Sequence, residues 1–307
     1  LRMTEDEAVA KAVDAVQYAK DHGLKVTFVT EDTVRADLDF VGRIYNAAIE
    51  AGATRVLYCD TVGVATPPML KWWFAEARKR IQLRGAEEGV HFHNDLGMAT
   101  ANCLAAIESG VPVINTTLAG LGERAGNAPF DEIVMALELL YDYKTGIRID
   151  RIYEVTKRVE ELSGFPIAVS KPVTGYNAFT HESGIHTDGV IKHTLTYEPI
   201  QAESLRRTRR FVFGKHTGAR AVEARLQEHG LAATKEQVQG IVNEIKDKTE
   251  NETKAGVRKF IEHYRDWDEN HKGVAPREFW AIAAKHGVKV PTDLLEGSKR
   301  ERSTGQF

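Results

Sequence analysis

Two cysteines in 307 residues, Cys59 and Cys103, are too few and too scattered for a disulfide framework or a CxxC metal site. Their scarcity points to a reducing, cytosolic setting. No apolar run approaches the roughly 18 to 20 residues needed to span a bilayer, and the start carries no signal-peptide pattern, so no membrane partner is expected. An excess of one charge sign is also missing: 41 Lys and Arg against 44 Asp and Glu leave a formal net charge of -3. Interspersed signs of that size argue against a nucleic-acid binder. The densest basic run, "LRRTRR" from Leu205 to Arg210, is short enough to read as a solvated turn. What is there, 42% hydrophobic and 28% charged residues, suits a globular chain that buries its own core.

Thr4 and Glu7 have capping-box spacing, and Val9, Val13, Val16 and Ala19 recur on one face, which predicts a helix from Thr4 to about His22. Gly23 stops it and "LKVTFVT" then has strand composition. The same order recurs in "AAIEAGATRVLYCD" and "AAIESGVPVINTT": helix, glycine, buried strand. The pattern gives four βα units, with strands near Lys25–Thr30, Arg55–Cys59, Val90–His93 and Val113–Thr117. Helices start near Asp37, Pro67 (behind Thr66 as N-cap), Gly97 and Pro129. Such alternation implies an α/β fold with a parallel sheet covered by helices. Polar residues succeed every strand: Glu31 and Asp32, Asp60 and Thr61, Asn94 and Asp95, then Glu123, Arg124 and Asn127. Parallel strands put these on one face, where α/β proteins bind ligands. Beyond about Tyr143 the alternation stops. "RIYEVTKRVEELSG" is helical, a long irregular stretch comes next, and further helices lie near Gly218–His229 and Lys235–His263.

In "HFHNDLGMAT", His91 and His93 sit two apart on a strand and project to the same side, while Phe92 packs on the other. Two imidazoles supply half of a divalent-ion shell; alternatively they are buried histidines bonded to backbone. No acidic residue is an obvious third ligand. "GLGERAGN" presents Glu123, Arg124 and Asn127 from a glycine-rich loop that lacks the Lys-Ser/Thr pair of a P-loop; its plain reading is a βα turn with a Glu-Arg ion pair. In "DTVG", Thr61 offers a hydroxyl, and Asp60 could simply cap the next segment of chain. "HESGIH" places His186 on a loop, where an imidazole with a pKa near about 6.5 suits acid-base work. "GKHTG", Gly214 to Gly218, binds an anion or starts the next helix.

"HFHNDLGMATANCLAAIESG", "GLGERAGN" and "AFTHESGIHTDG", in this order, resemble the metal-dependent acyltransferases that condense acetyl-CoA with a 2-oxo acid, the homocitrate synthase and 2-isopropylmalate synthase family. The resemblance covers Thr4 to about Gly218. It implies a TIM (β/α)8 barrel, of which the four βα units are the C-terminal half, followed by a mostly helical lid subdomain. The implied division is 1–147 for the partial barrel and 148–307 for the lid and C-terminal part. His91, His93 and Asn127 become metal ligands, for Zn, Mg or Mn. Glu31 and His186 take part in acid-base catalysis, and Thr61 contacts the 2-oxo acid carboxylate. Glu123 also falls among the substrate-binding residues, in the metal's surroundings. The implied chemistry is a keto group polarised by the ion, an enolate formed from acetyl-CoA, and hydrolysis of the product thioester.

One departure is marked: the family opens on a strand with an Arg-Asp pair, and this chain has none. A chain that starts at the helix before the fifth strand lacks half the barrel and leaves two edges unpaired. The expectation is therefore an N-terminally truncated member whose activity alone is doubtful. Among substrates, "HTLTYEPI" points to the homocitrate branch and 2-oxoglutarate; 2-isopropylmalate, citramalate and Re-type citrate synthases are the alternatives. A lyase running carbon-carbon chemistry backwards is disfavoured by the lid motif. A non-catalytic metal-binding or assembly module is the other class. A homodimer is the expected assembly.

Overall fold

The computed structural model describes residues 3–182, 184–271, 274 and 276–296. The first helix, α1 (Glu5–Asp21), begins at Thr4, whose hydroxyl accepts from the Glu7 amide while the Glu7 carboxylate accepts from the Thr4 amide. Then come β1 (Thr27–Val29), α2 (Leu38–Ala51), β2 (Arg55–Asp60), α3 (Pro67–Ala77), β3 (Glu87–Phe92), α4 (Ala99–Glu108), β4 (Val113–Asn115) and α5 (Phe130–Leu140). All four strands are parallel and their order in the sheet is their order in the chain. Parallel crossovers are right-handed, so an unreversed order puts every helix on one face. This is an arc of TIM-barrel type, not a doubly wound sheet, whose order reverses at a switch point.

The side-chain alternation of the strands sorts the two faces. Val56, Tyr58, Val90 and Phe92 turn to the helices and are buried with Tyr45, Leu70, Trp73 and Phe74. Tyr58 stands edge-on to Tyr45 and Trp73, with ring centroids 5.3 and 5.0 Å apart. Leu57, Cys59, Gly89, His91 and Asn115 fall on the opposite face, matched by the register Cys59 to His91 to Asn115. Two helix starts differ in detail from the pattern. Thr66 makes no side-chain cap for α3; instead the buried Asp60 carboxylate accepts from the amides of Val64 and Ala65. The fourth helix starts two residues after Gly97, because the Asn94 amide oxygen accepts from Ala99.

The chain divides into two compact units. The first runs to His181 and resumes over Gly189–Phe211, so the end of the strand-helix alternation lies inside it. Beyond the sheet it holds α6 (Ile152–Ser163) and the short parallel pair β5 (Thr180–His181) and β6 (Arg210–Phe211). Val134 and Met135 of α5 share a core with Ile152, Val173, Phe179, Ala202 and Leu205. A polar tie accompanies it: Lys171 donates to Glu132 at 2.7 Å and Thr174 donates to the buried Asp131 at 2.7 Å.

The basic run is no solvated turn. Arg206 pairs with Asp150 at 2.6 Å, and Arg209 with Glu198 at 2.6 Å and with Glu203. Arg207 lies over the rings of Tyr153 and Phe179, and Arg210 over Tyr176. Arg207, Arg209 and Arg210 staple this irregular segment from within, while Arg206 pairs at its surface.

The second unit comprises Glu182–Asp188 and the chain from Val212 onward. The "HESGIH" stretch leads into α7 (Gly184–Lys192), so His186 lies on a helix where the sequence pattern predicts a loop. Thr187 is buried on this helix, whose pattern two glycines obscure in the sequence. The rest of this unit carries α8 (Ala219–Glu228), α9 (Lys235–His271), α10 (Pro276–Lys285) and α11 (Thr292–Glu296), with Val222, Val238 and Val242 as its buried core. Gly218 caps α8, and the "GKHTG" amide of His216 donates to Glu182.

Candidate metal and substrate site

The C-terminal end of β3 carries the site. His91 and His93 bring their Nε2 atoms to 3.3 Å, with the rings 5.0 Å apart and nearly perpendicular. His91 Nδ1 lies 2.8 Å from the Asn115 amide oxygen, which can only accept. A neutral His91 therefore carries its proton on Nδ1 and presents a lone pair at Nε2. His93 is buried; desolvation first, then the charges of His91 and Arg124, push its pKa below the ordinary value and favour the neutral ring.

Asn127 completes the group. Its backbone bridges to His93 and its amide donates to the Gly120 carbonyl at 3.0 Å. The side-chain Nδ2 donates to Leu121, leaving Oδ1 buried with no hydrogen-bond partner among the described residues; His93 Nδ1 is in the same position. A buried acceptor without a partner, on a residue whose backbone pairs with His93, fits a cation. At an ordinary zinc-nitrogen length of about 2.0 to 2.1 Å, an Nε2 separation of 3.3 Å corresponds to a ligand-metal-ligand angle of roughly 104 to 111°. The donor set is nonetheless neutral, and among the described residues no three His, Cys, Asp or Glu side chains group to hold an ion.

The remaining candidates occupy the same rim, except one. Thr61 Oγ1 accepts from the Asp32 amide at 2.8 Å, and its carbonyl accepts from Arg124 at 2.6 Å. Glu31 is exposed in the turn after β1; together with Asp60 its charge adds to burial in pushing the Cys59 thiol up to about 12. Glu123 projects into solvent, 86% exposed and 3.8 Å from Arg124. The Glu-Arg ion pair expected in this loop is thus present but long; the close partner of Arg124 is Asp95, held bidentately with both contacts 2.8 Å. His186, exposed on α7, belongs to the second unit.

Asn94 and Asp95, adjacent to the histidines, are not spare ligands: Asn94 caps α4 and Asp95 holds Arg124. Asn115 escapes the sequence reading. Its signal is the β3–β4 register, which puts it opposite His91.

The HMGL-like family model matches residues 1–159, more than half of the chain. The chain belongs to the HMGL-like family. A second model, described as homocitrate synthase post-HMGL domain-like, matches residues 173–253 of this HMGL-like protein. A probable 2-isopropylmalate synthase of Methanopyrus kandleri is 45% identical over 80% of the chain and 49% of its own length. An (R)-citramalate synthase of Methanocaldococcus jannaschii is 43% identical over 80% of the chain and 50% of its length. A homocitrate synthase of Methanopyrus kandleri is 44% identical over 80% of the chain and 61% of its length. The chain thus spans about half to three fifths of these relatives.

Proposed function

We propose that this chain carries the metal-binding rim and the lid of an acyltransferase that condenses acetyl-CoA with a 2-oxo acid, by Claisen condensation and thioester hydrolysis. The observation that carries the reading is the approach of His91 Nε2 and His93 Nε2 to 3.3 Å at the strand ends of an HMGL-like sheet, with Asn127, whose buried Oδ1 has no partner among the described residues, bridged to His93 through its backbone. A divalent ion, Zn, Mg or Mn, supplies Lewis acidity toward a keto oxygen when bound there.

The chain's own groups do the rest. Asn115 holds the His91 tautomer so that its Nε2 lone pair faces the site. Because Thr61 Oγ1 already accepts from Asp32, its own proton is directed to another acceptor, and a 2-oxo acid carboxylate is a strong one. Glu31 and His186 share removal of a proton from the acetyl methyl group, and Glu123 lines the approach. Arg124, held by Asp95, ties the strand ends of the rim together.

The 2-oxo acid in this reading is 2-oxoglutarate. The homocitrate synthase-type match over 173–253 supports it, while the isopropylmalate and citramalate synthase relatives supply the alternatives. A cytosolic homodimer belongs to the same reading, its reducing setting supported by two free, buried cysteines. The neutral donor set favours one rival, a metal-binding or assembly module without catalysis.

The test is isothermal titration of the chain with Zn²⁺, Mg²⁺ and Mn²⁺, beside a His91→Ala/His93→Ala variant, followed by a thiol-release assay on the chain joined to the N-terminal part of a full-length relative. That assay uses acetyl-CoA with 2-oxoglutarate, 2-oxoisovalerate or pyruvate. Metal binding lost in the variant and release of CoA thiol with 2-oxoglutarate support the proposal. Metal binding without thiol release for any acid favours the module, and a folded chain with no metal affinity removes the site.

A further inference from the structure

Residues 120–127 form a loop whose middle, Gly122 to Ala125, is exposed. Its ends are joined by backbone: Asn127 donates to Gly120 at 3.0 Å and Gly126 to Glu123 at 2.9 Å. Two glycines make that closure possible. A Cβ on Gly126 would lie 2.0 Å from the Gly120 carbonyl oxygen, and one on Gly122 would lie 2.6 Å from the Asn127 amide nitrogen. Arg124, at the tip, has φ +56, a left-handed conformation that L side chains rarely adopt.

That conformation sends its guanidinium back across the strand ends. Nε and Nη2 each donate to one Asp95 oxygen at 2.8 Å, and Nη2 also donates to the Thr61 carbonyl at 2.6 Å. A planar fork on a carboxylate fixes orientation as well as distance. Asp95 is itself confined, since a Cβ on Gly63 would lie 2.6 Å from its Oδ2. One guanidinium thus ties together the ends of β2, β3 and the loop after β4.

The geometry points to Asp95 and Arg124 as positioning residues: their clamp holds the 120–127 loop so that Asn127 stays bridged to His93, with its unpartnered Oδ1 available beside the two-histidine group. Neither side chain reaches the histidines' ring nitrogens; they act through the loop. Among the described residues the Asn127 side-chain amide has the Leu121 carbonyl alone to orient it, and Leu121 belongs to the same loop. A loop free at its tip would carry donor and acceptor away together. This inference rests on the reading of His91, His93 and Asn127 as a metal donor set.

The experiment uses the full chain and three variants: Asp95→Asn, Arg124→Gln, and Arg55→Gln as control. Arg55 pairs with Glu87 at 2.6 Å across the opposite ends of β2 and β3, so its loss removes a similar ion pair from the wrong end. Hydrogen exchange at the Asn94, Gly126 and Asn127 amides reads the loop without metal, and titration with Zn²⁺ alone reads the donor set. In Asp95→Asn and Arg124→Gln these amides are expected to exchange at least tenfold faster while the Val56 and Val90 amides stay protected. Zn²⁺ affinity falls by about 10- to 100-fold, the range for outer-shell partners of a metal site. The Arg55→Gln control matches wild type in both.

Loop amides that exchange as in wild type overturn the clamp, as does loss of protection spread through the whole sheet. A wild type that binds no Zn²⁺, or a His91→Ala/His93→Ala variant that binds it equally, sinks the metal reading instead. Exchange then still decides whether Asp95 and Arg124 hold the loop.

Discussion

Replacing Arg207 by alanine should cost far more stability than replacing its neighbour Arg206, although both belong to one basic run. Arg207 donates to the carbonyls of Val173 at 2.9 Å and Tyr176 at 3.3 Å. Its guanidinium lies 4.4 Å from the Tyr153 ring centroid and 4.9 Å from that of Phe179. A charged hydrogen bond contributes ~1.5 to 3 kcal/mol, and a partly exposed cation-π contact ~0.5 to 1 kcal/mol. The longer bond counts for little, and burial, which lowers the Arg207 pKa, opposes the rest. A net loss of about 3 kcal/mol for Arg207→Ala is the working figure. Arg206 makes one exposed ion pair with Asp150, its side chain 60% accessible, which amounts to ~0 to 1 kcal/mol. Urea unfolding followed by far-ultraviolet circular dichroism compares the two, and Arg207→Lys adds a check that keeps charge but loses the fork. If both alanine variants unfold within about 0.5 kcal/mol of each other, the scale of a plain surface change, the internal staple is refuted.

Asn115→Leu should weaken Zn²⁺ binding about tenfold with little change in melting temperature; Asn115 is exposed, so water takes over part of its role and the low end of the outer-shell range applies. Equal affinity by calorimetry would count against the His91 tautomer. Asp60→Ala strands the buried Ala65 amide, at ~1 to 3 kcal/mol, and frees the part-buried Val64 amide at smaller cost, so it should lower the melting temperature measured by calorimetry; an unchanged value would show that water replaces the carboxylate. Burial pushes the Cys103 thiol from an ordinary 9.0 up to about 12. The folded state then keeps its proton where the unfolded state releases it, so this contribution to stability is intact below pH 9 and lost as pH rises toward about 12. Cys103→Ala should flatten that alkaline decline, and iodoacetamide at pH 8 should label the native thiol far more slowly than the urea-unfolded one.

Features carried by neighbouring residues were legible in the sequence. The Thr4–Glu7 box, the strand-helix alternation and the shared direction of His91 and His93 are all local, and each has its counterpart in the fold. What stayed hidden depends on register or on distant partners. Asn115 meets His91 across 24 residues, and Arg124 meets Asp95 across 29 and Thr61 across 63. The basic run misled for the same reason: its acceptors and rings lie in segments that no periodicity links to it. The helix carrying His186 was masked by glycines on either side of it.

The placement of Phe92 between His91 and His93 has a genetic consequence. Strand residues alternate, so sliding β3 by one position would turn both imidazoles into the helix layer and Phe92 out of it. Core and histidine pair are therefore written in a single reading frame of the sheet. Selection that keeps the aromatic layer also keeps the imidazoles aimed, even in a descendant that no longer uses them. A relative with an intact Phe92 but altered histidines would be a scaffold that gave up the chemistry; the reverse combination would have no sheet to display it.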